Sequence, residues 1–258
     1  MIYITLLLRG AAGMDFDRML AYCAALAQHN ERSWFHANHR WYESAKADFL
    51  ELVELLRFRI AELVPEALST PLLYADARRL VFRIPRDMRL ARNAPPYTPS
   101  FRAYFHPDRK ALDPVSYFLR LEPGDRSHFG TGAWPMGDRT LLQNVRRYLC
   151  ADTPGFLSAL RESGCALSED VDKLRRGPAG YTAVGETAEL LRYREWYICR
   201  SFPDAQLGSF EAFADAVAET VRRMEPFRRV CTEALAGRLP PGKGFPDPAA
   251  ISPSFVKF

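Results

Sequence analysis

The chain has 258 residues, of which 48% are hydrophobic and 26% charged, with a formal net charge of +4. A chain of this size buries a substantial core without disulfides or metal ions. Its five cysteines are scattered, with no CxxC pair or Cys/His cluster, which argues against a disulfide framework or a structural zinc site and favours a reducing, cytoplasmic location. No apolar run approaches the roughly 20 residues of a membrane-spanning helix, so we expect no membrane association.

The first half of the chain predicts helices followed by strands. We expect residues 1–13 to form a short N-terminal extension. Asp15 or Asp17 then caps a helix whose apolar residues recur at spacings of three and four. A second, longer helical pattern follows and stops at Pro65. Strand-like sequences come next, at residues 79–84, 101–105 and 115–122.

The second half of the chain predicts a mixture of helices and strands. We expect a strand or loop at residues 127–134, followed by two helices at residues 138–149 and 154–163. An irregular segment at residues 172–185 and a strand at residues 194–202 come next. Ser209 caps a last helix, which we expect to bend at Pro226. Pro and Gly dominate residues 237–258 and predict an extended or poorly ordered tail. The order of elements predicts one α+β domain over residues 14–236, with an antiparallel or mixed sheet in the middle and helices from both ends packed on it.

Positive charge is concentrated between Arg78 and Arg102. This 25-residue stretch contains seven arginines and a single acid, Asp87, so it carries +6 and the rest of the chain sums to −2. Inside it, the sequence RIPRDMRLARNAPPY repeats arginine at every third position. In an extended, polyproline-like strand this spacing places four side chains on one face, namely Arg83, Arg86, Arg89 and Arg92. Such localised charge predicts one anionic group as the partner.

We therefore predict a site for a phosphate- or carboxylate-bearing small molecule. Guanidinium groups suit these anions, and Asp87 can orient them by paired hydrogen bonds. Tyr97 supplies a hydrogen-bond donor, and Trp34 and Phe35 form a wall if they lie close. The anion is clamped by Arg83, Arg86 and Arg89. No residue is an obvious nucleophile, so the sequence leaves open whether the protein is an enzyme.

Two alternatives remain open. In the first, the arginines bind nucleic-acid phosphates and bases stack on Tyr97, Tyr104 or Phe105, although the near-neutral remainder of the chain counts against this. In the second, the arginines form a salt-bridge network that only braces the fold. The sequence also leaves the oligomeric state open.

Other motifs do not indicate cofactors or metals. His29, His36 and His39 would lie within about 80° of arc on one continuous helix, but they lack a carboxylate or cysteine at metal-binding spacing. We interpret them as solvated or core-edge residues and predict neither a metal nor a cofactor. The triplet from Gly130 to Gly132 is more typical of a turn or bulge than of a phosphate loop.

Several segments together resemble a bacterial family, domain-of-unknown-function family 2461. Its hallmark is Arg-x-x-Arg-Asp-x-Arg-Phe followed by Lys-x-Pro-Tyr. This chain matches it with Arg83, Arg86, Asp87, Arg89, Pro96 and Tyr97. The similarity extends to residues 30–35, 117–124 and 178–181. The family has no assigned activity, so the resemblance implies membership and no reaction.

The chain departs from the family pattern at three positions. Leu90 stands where the family usually has Phe, Ala94 replaces the motif lysine, and Thr98 replaces a second lysine. If the motif lysine is a nucleophile or proton donor in relatives, this protein cannot use it. Arg92 restores the charge, but a guanidinium is a poor acid-base group near neutral pH.

Overall fold

The structure is a computed structural model of the chain, and it describes residues 15–89, 93–106 and 115–240. The predicted N-terminal extension, most of the predicted C-terminal tail, and Leu90 and Arg92 of the arginine stretch lie outside the described residues.

The first predicted helix is confirmed as α1 (Phe16–Gln28). It begins at Asp15, whose carboxylate accepts a hydrogen bond from the backbone N–H of Asp17 at 2.8 Å. The long helix predicted next is two helices, α2 (Arg32–Ala37) and α3 (His39–Ala61). The break falls at Asn38, whose side-chain amide donates to the Trp34 carbonyl at 2.9 Å while its backbone has φ −104° and ψ 19°.

The prediction of a strand at residues 79–84 is wrong. Two short helices precede the sheet, α4 (Glu66–Leu73) and α5 (Ala77–Leu80). Asp76 caps α5, because its carboxylate accepts a hydrogen bond from the backbone N–H of Arg78 at 2.9 Å. After α5 the chain makes only isolated bridges, at Val81 and Pro85, since proline has no N–H with which to continue a ladder.

A four-stranded antiparallel sheet occupies the middle of the chain, in the order β1 (Phe101–Tyr104), β2 (Tyr117–Leu121), β3 (Ser127–Ala133) and β4 (Trp196–Phe202). The predicted strands at residues 101–105, 115–122 and 194–202 are confirmed. The Gly-Thr-Gly segment at residues 130–132 lies inside β3 and not in a turn. A Cβ on Gly132 would overlap the Cα atom of Tyr197 and the carbonyl oxygen of Trp196, so this close approach of β3 and β4 requires glycine.

Three α-helices follow β3 among the described residues, namely α6 (Arg139–Ser163), α7 (Gly185–Leu191) and α8 (Phe210–Leu235), with a 3-10 turn at Asp204–Gln206. Asp138 caps α6 as predicted, because its carboxylate accepts hydrogen bonds from the backbone N–H groups of Thr140 at 2.8 Å and Leu141 at 3.0 Å. The two helices predicted here are joined across a non-helical Asp152 that precedes Pro154. The last helix continues through Pro226 as one element.

Helices before and after the sheet confirm the α+β class. The chain divides into two compact units. The first comprises Met1–Arg109, Tyr117–Phe129 and Arg200–Arg222, and the second comprises Lys110–Ser116, Gly130–Cys199 and Arg223–Phe258. Within the described residues, no helix is long and apolar enough to cross a membrane.

Each unit has its own core. In the first unit the buried Tyr22 ring lies 5.5 Å from that of Trp41, and Phe49 lies 5.2 Å from Phe101. In the second unit the fully buried Trp196 donates its indole N–H to the Leu190 carbonyl at 3.0 Å. Aromatic residues of this size supply a large share of the buried apolar area.

Two buried arginines brace the fold. Arg228 in α8 donates to both carboxylate oxygens of Glu225 at 2.8 Å and to the Val115 carbonyl at 2.9 Å. Arg57 in α3 is held in the same way, by a carboxylate three residues earlier in its helix and by two carbonyls at 2.9 and 2.8 Å. All three nitrogens of each guanidinium therefore have an acceptor, which is what a buried cation requires.

Candidate anion-binding site

The arginine stretch folds back on itself. The backbone N–H of Arg86 donates to the Pro96 carbonyl, and that of Thr98 donates to the Ile84 carbonyl, both at 2.9 Å. Pro85 and Tyr97 form an isolated bridge between these two segments. The described residues of this stretch, 84–89 and 93–98, are here called the arginine loop.

Asn30 and Phe35 anchor the arginine loop. The side chain of Asn30 accepts a hydrogen bond from the backbone N–H of Tyr97 at 2.9 Å and donates one to its carbonyl at 3.0 Å. The ring of Phe35 stacks on that of Tyr97, with centroids 4.3 Å apart and planes 10° apart, and both residues are buried. These contacts place Phe35 and Tyr97 in the support of the loop.

Trp34 points elsewhere. Its ring stacks on His29 with centroids 5.8 Å apart and lies 6.0 Å from Tyr22 and 6.4 Å from Trp41. Among the residues that the structure describes, no contact links Trp34 to an arginine. It is therefore a member of the aromatic cluster behind the loop.

Asp87 and Arg89 neutralise each other at the surface. The Asp87 carboxylate accepts hydrogen bonds from Nε and Nη2 of Arg89 at 2.9 and 2.7 Å, and from its backbone N–H at 3.1 Å. These bonds, helped by the charge of Arg83, hold the pKa of Asp87 below its usual value. Arg83, Arg86 and Arg89 are all exposed, and Nε of Arg86 donates to the Tyr97 carbonyl at 3.3 Å.

Two further arginines lie side by side on adjacent strands of the sheet. Arg102 of β1 and Arg120 of β2 are direct partners in the antiparallel register. Their strands alternate, so that the opposite face carries the buried side chains of Phe101, Ala103, Leu119 and Leu121. Like charges directly opposite each other destabilise a sheet. Nε of each arginine is buried and has no hydrogen-bond partner within the described part of the chain.

One carboxylate lies beside this pair. Glu122 is buried and forms ion pairs with Arg120 and, at 3.1 Å, with Arg126. Burial, together with the charges of Arg120 and Arg86, lowers the pKa of Arg102. Arg86 of the arginine loop thus acts electrostatically on the sheet pair. Four guanidinium groups and one carboxylate make up this part of the surface, here called the arginine face: Arg86, Arg102, Arg120, Glu122 and Arg126.

His128 of β3 borders the arginine face. Its Nδ1 lies 3.0 Å from the Arg126 carbonyl, and its ring lies 5.7 Å from that of Phe118. Burial and, to a smaller degree, the charge of Arg120 lower its pKa below the ordinary 6.5, although Glu122 and the hydrogen bond act in the opposite direction. The imidazole is therefore neutral at pH 7, and Nδ1–H donates to that carbonyl.

The structure brings some of the predicted site residues into contact and leaves Trp34 apart from them. It brings Phe35 to Tyr97 and Asp87 to Arg89, while Trp34 is separate. Sequence reasoning missed the strand arginines and Glu122. The alternation of polar and apolar residues in FRAY and YFLRL places these side chains on one face, but only the register shows that Arg102 and Arg120 are opposite.

The histidines considered as metal ligands do not cluster. His39 lies 3.7 Å from Glu43, and His29 stacks on Trp34. No group of three or more His, Cys, Asp or Glu side chains with metal-binding geometry is found in residues 15–89, 93–106 and 115–240.

A family model described as "Conserved hypothetical protein (DUF2461)" matches residues 18–229 of the chain. The chain belongs to this family. The match runs from α1 to near the end of α8, so it covers most of both units, and it confirms the membership that the arginine hallmark predicted. No curated protein and no solved structure matches the chain.

Proposed function

We propose that this DUF2461 protein binds a small molecule bearing a phosphate or carboxylate group, and that the arginine face is the binding surface. The observation that carries the proposal is the pair formed by Arg102 and Arg120, which are opposed in register and whose Nε atoms have no acceptor among the described residues. A bound oxyanion supplies acceptors to both guanidinium groups and removes the repulsion between them.

The arginine loop completes the site in this proposal. Arg86 adds a third guanidinium to the site in this proposal, and its charge contributes to the lowered pKa of Arg102. Arg83 and the Asp87–Arg89 pair form an outer rim, where exposed charges steer an anion more than they bind it. Phe35 and Tyr97, predicted as a wall residue and a hydrogen-bond donor of the site, stack on each other and hold the loop in place, whereas Trp34 belongs to the aromatic cluster.

The small-molecule interpretation fits the charge distribution better than a nucleic-acid interface does. Outside residues 78–102 the chain sums to −2, whereas an extended nucleic-acid surface needs a basic stripe. The chemistry available is electrostatic stabilisation by guanidinium groups beside a neutral imidazole, and no reaction is assigned.

The proposal is tested by NMR titration of His128 together with thermal-shift measurements in phosphate-free buffer. The probes are inorganic phosphate, citrate and adenosine monophosphate. A bound anion offsets the field of Arg120, so we expect the pKa of His128 to rise and the melting temperature to increase. Arg102→Gln abolishes both effects, whereas Arg78→Gln, an exposed arginine of the same basic stretch, retains them.

Two results would overturn the proposal. One is that no probe changes the pKa of His128 in the wild-type protein. The other is that Arg102→Gln and Arg78→Gln weaken the response equally, which would indicate non-specific attraction to the basic stretch. A single-stranded oligonucleotide that binds more tightly than the small anions, and loses affinity steeply between 50 and 200 mM salt, would favour the nucleic-acid alternative.

A further inference from the structure

The second unit contains an open pocket of about 540 Å³. It lies between the irregular segment that precedes α7 and α7 itself. Its polar lining consists of Arg175, Arg176, Tyr181, Glu189 and Arg192, and the rest is small or apolar. Pockets of this volume are typical of small-molecule sites.

The walls of the pocket are tied together. The backbone N–H of Leu174 donates to the Arg192 carbonyl at 2.8 Å, and Nε of Arg192 donates back to the Leu174 carbonyl at 2.9 Å. A bridge between Lys173 and Tyr193 continues this pairing. The irregular segment is therefore fastened to the end of α7.

The free charge of the pocket is positive. Arg192 is bound to Glu189 at 2.6 Å, so the carboxylate of the lining is already engaged. Arg175 and Arg176 are exposed, and within the described residues no hydrogen bond or ion pair engages either guanidinium. Both groups are available to an anion that enters the pocket.

A third cation interacts with the lining residue Tyr181. Arg146 of α6 is only 8% exposed, its Nε has no partner in the described part of the chain, and it interacts electrostatically with Tyr181. Burial lowers the pKa of Arg146, and the positive charge of Arg194 lowers it further. A buried guanidinium with an unsatisfied N–H is unfavourable unless an anion lies close enough to compensate it.

Tyr181 lines the same pocket and interacts electrostatically with Arg146. Burial and the nearby Cys150 raise its pKa, against the opposing effect of Arg146 and Arg147. The phenol is thus protonated at neutral pH and can donate a hydrogen bond to an oxyanion.

We propose that this pocket is a second binding site, for a phosphate monoester of the size of a pentose phosphate or nucleoside monophosphate. Arg175 and Arg176 bind the phosphate in bidentate fashion, the Tyr181 hydroxyl donates to it, and the positive charge of Arg146 adds to the stabilisation of the anion. The small and apolar residues receive the body of the ligand: Pro178, Ala183, Ala188 and Leu191. The site lies entirely in the second unit and is independent of the arginine face.

The test measures binding of ribose 5-phosphate and adenosine monophosphate to the full chain by calorimetry at 150 mM salt. Ribose and adenosine serve as controls without phosphate. We expect at least one monoester to bind while its dephosphorylated form does not. Arg175→Gln/Arg176→Gln removes two charge-assisted contacts, so the affinity falls by about tenfold or more, and Tyr181→Phe weakens it by about threefold to tenfold.

Two variants locate the binding. Arg161→Gln, an exposed arginine at the end of α6, binds like the wild type, and so does Arg102→Gln on the arginine face. Both mutated pocket arginines are exposed and make no hydrogen bond or ion pair with any residue that the structure describes, so the double variant folds, and circular dichroism verifies this. The proposal is overturned if neither monoester binds, if the double variant binds normally, or if Arg102→Gln alone abolishes binding.

Discussion

Arg228 and Arg102 show two ways in which this protein buries a guanidinium group. Around Arg228 all three nitrogens have acceptors, from one carboxylate, a carbonyl and a hydroxyl. Around Arg102 burial is accompanied by the charges of Arg120 and Arg86, and its Nε has no acceptor among the described residues. The difference teaches that the supply of acceptors, more than the density of arginines, separates a structural brace from a candidate binding residue.

Breaking the brace is expected to give the largest effect. Replacing Arg228 by Met removes its hydrogen bonds to the Glu225 carboxylate and the Val115 carbonyl in a buried setting. We expect Arg228→Met to lower the free energy of unfolding by about 3 kcal/mol. Urea denaturation of the wild type and the variant measures this change in the free energy of unfolding. A loss below about 1 kcal/mol would show that the brace is replaceable.

Releasing the arginine loop comes next. Asn30→Ala removes both hydrogen bonds to the backbone of Tyr97, so we expect a loss of about 2 kcal/mol in the same measurement. The matched control is Asn93→Ala, an exposed asparagine of the same loop, which should leave stability unchanged. Equal losses in the two variants would contradict the assigned role of Asn30.

Removing a charge from the arginine face should leave the free energy of unfolding unchanged or raise it, in contrast to the two losses above. Arg102→Met removes a desolvated charge and its repulsion with Arg120, so the free energy of unfolding stays constant or rises by up to about 1 kcal/mol. The measurement requires phosphate-free buffer, since a bound anion would stabilise the wild type. If Arg102→Met were as destabilising as Arg228→Met, Arg102 would also be a brace and the proposed function would lose its main support.

Acidification should produce the smallest effect. The folded state holds the pKa of His128 below 6.5, so the unfolded chain takes up the proton first. Its contribution to stability is complete above about pH 6.5 and is lost as the pH falls through the lowered folded pKa. Comparing urea midpoints of wild type and His128→Gln between pH 7.5 and 5 isolates this contribution. The exposed His36→Gln should retain the wild-type slope.

Local signals made much of the fold predictable. Caps at Asp15, Asp138 and Ser209 mark helix starts because each side chain bonds a backbone N–H two or three residues away. The ion pair of each arginine brace is equally local, since the glutamate precedes Arg57 or Arg228 by one helical turn, whereas the carbonyls that complete the braces lie elsewhere in the sequence. Alternation of polar and apolar residues likewise indicated three strands.

The arrangement of the candidate site depends on contacts that sequence spacing does not encode. The opposition of Arg102 and Arg120 follows from strand register, and the anchoring of the arginine loop depends on Asn30, which is 67 residues from Tyr97. The break at Asn38 and the loss of the strand at residues 79–84 also result from side-chain caps that compete with the expected pattern. That the loop arginines bind an anion therefore stays a prediction.

The bond between Asn30 and Tyr97 also gives a way to observe the loop directly. The amide hydrogen of Tyr97 is held by a side-chain oxygen and not by a backbone carbonyl, so it exchanges with solvent whenever the loop separates from that side chain. Local openings of this kind need less free energy than global unfolding. The exchange rate of this one hydrogen thus reports how often residues 84–98 leave their anchor while the rest of the first unit stays folded.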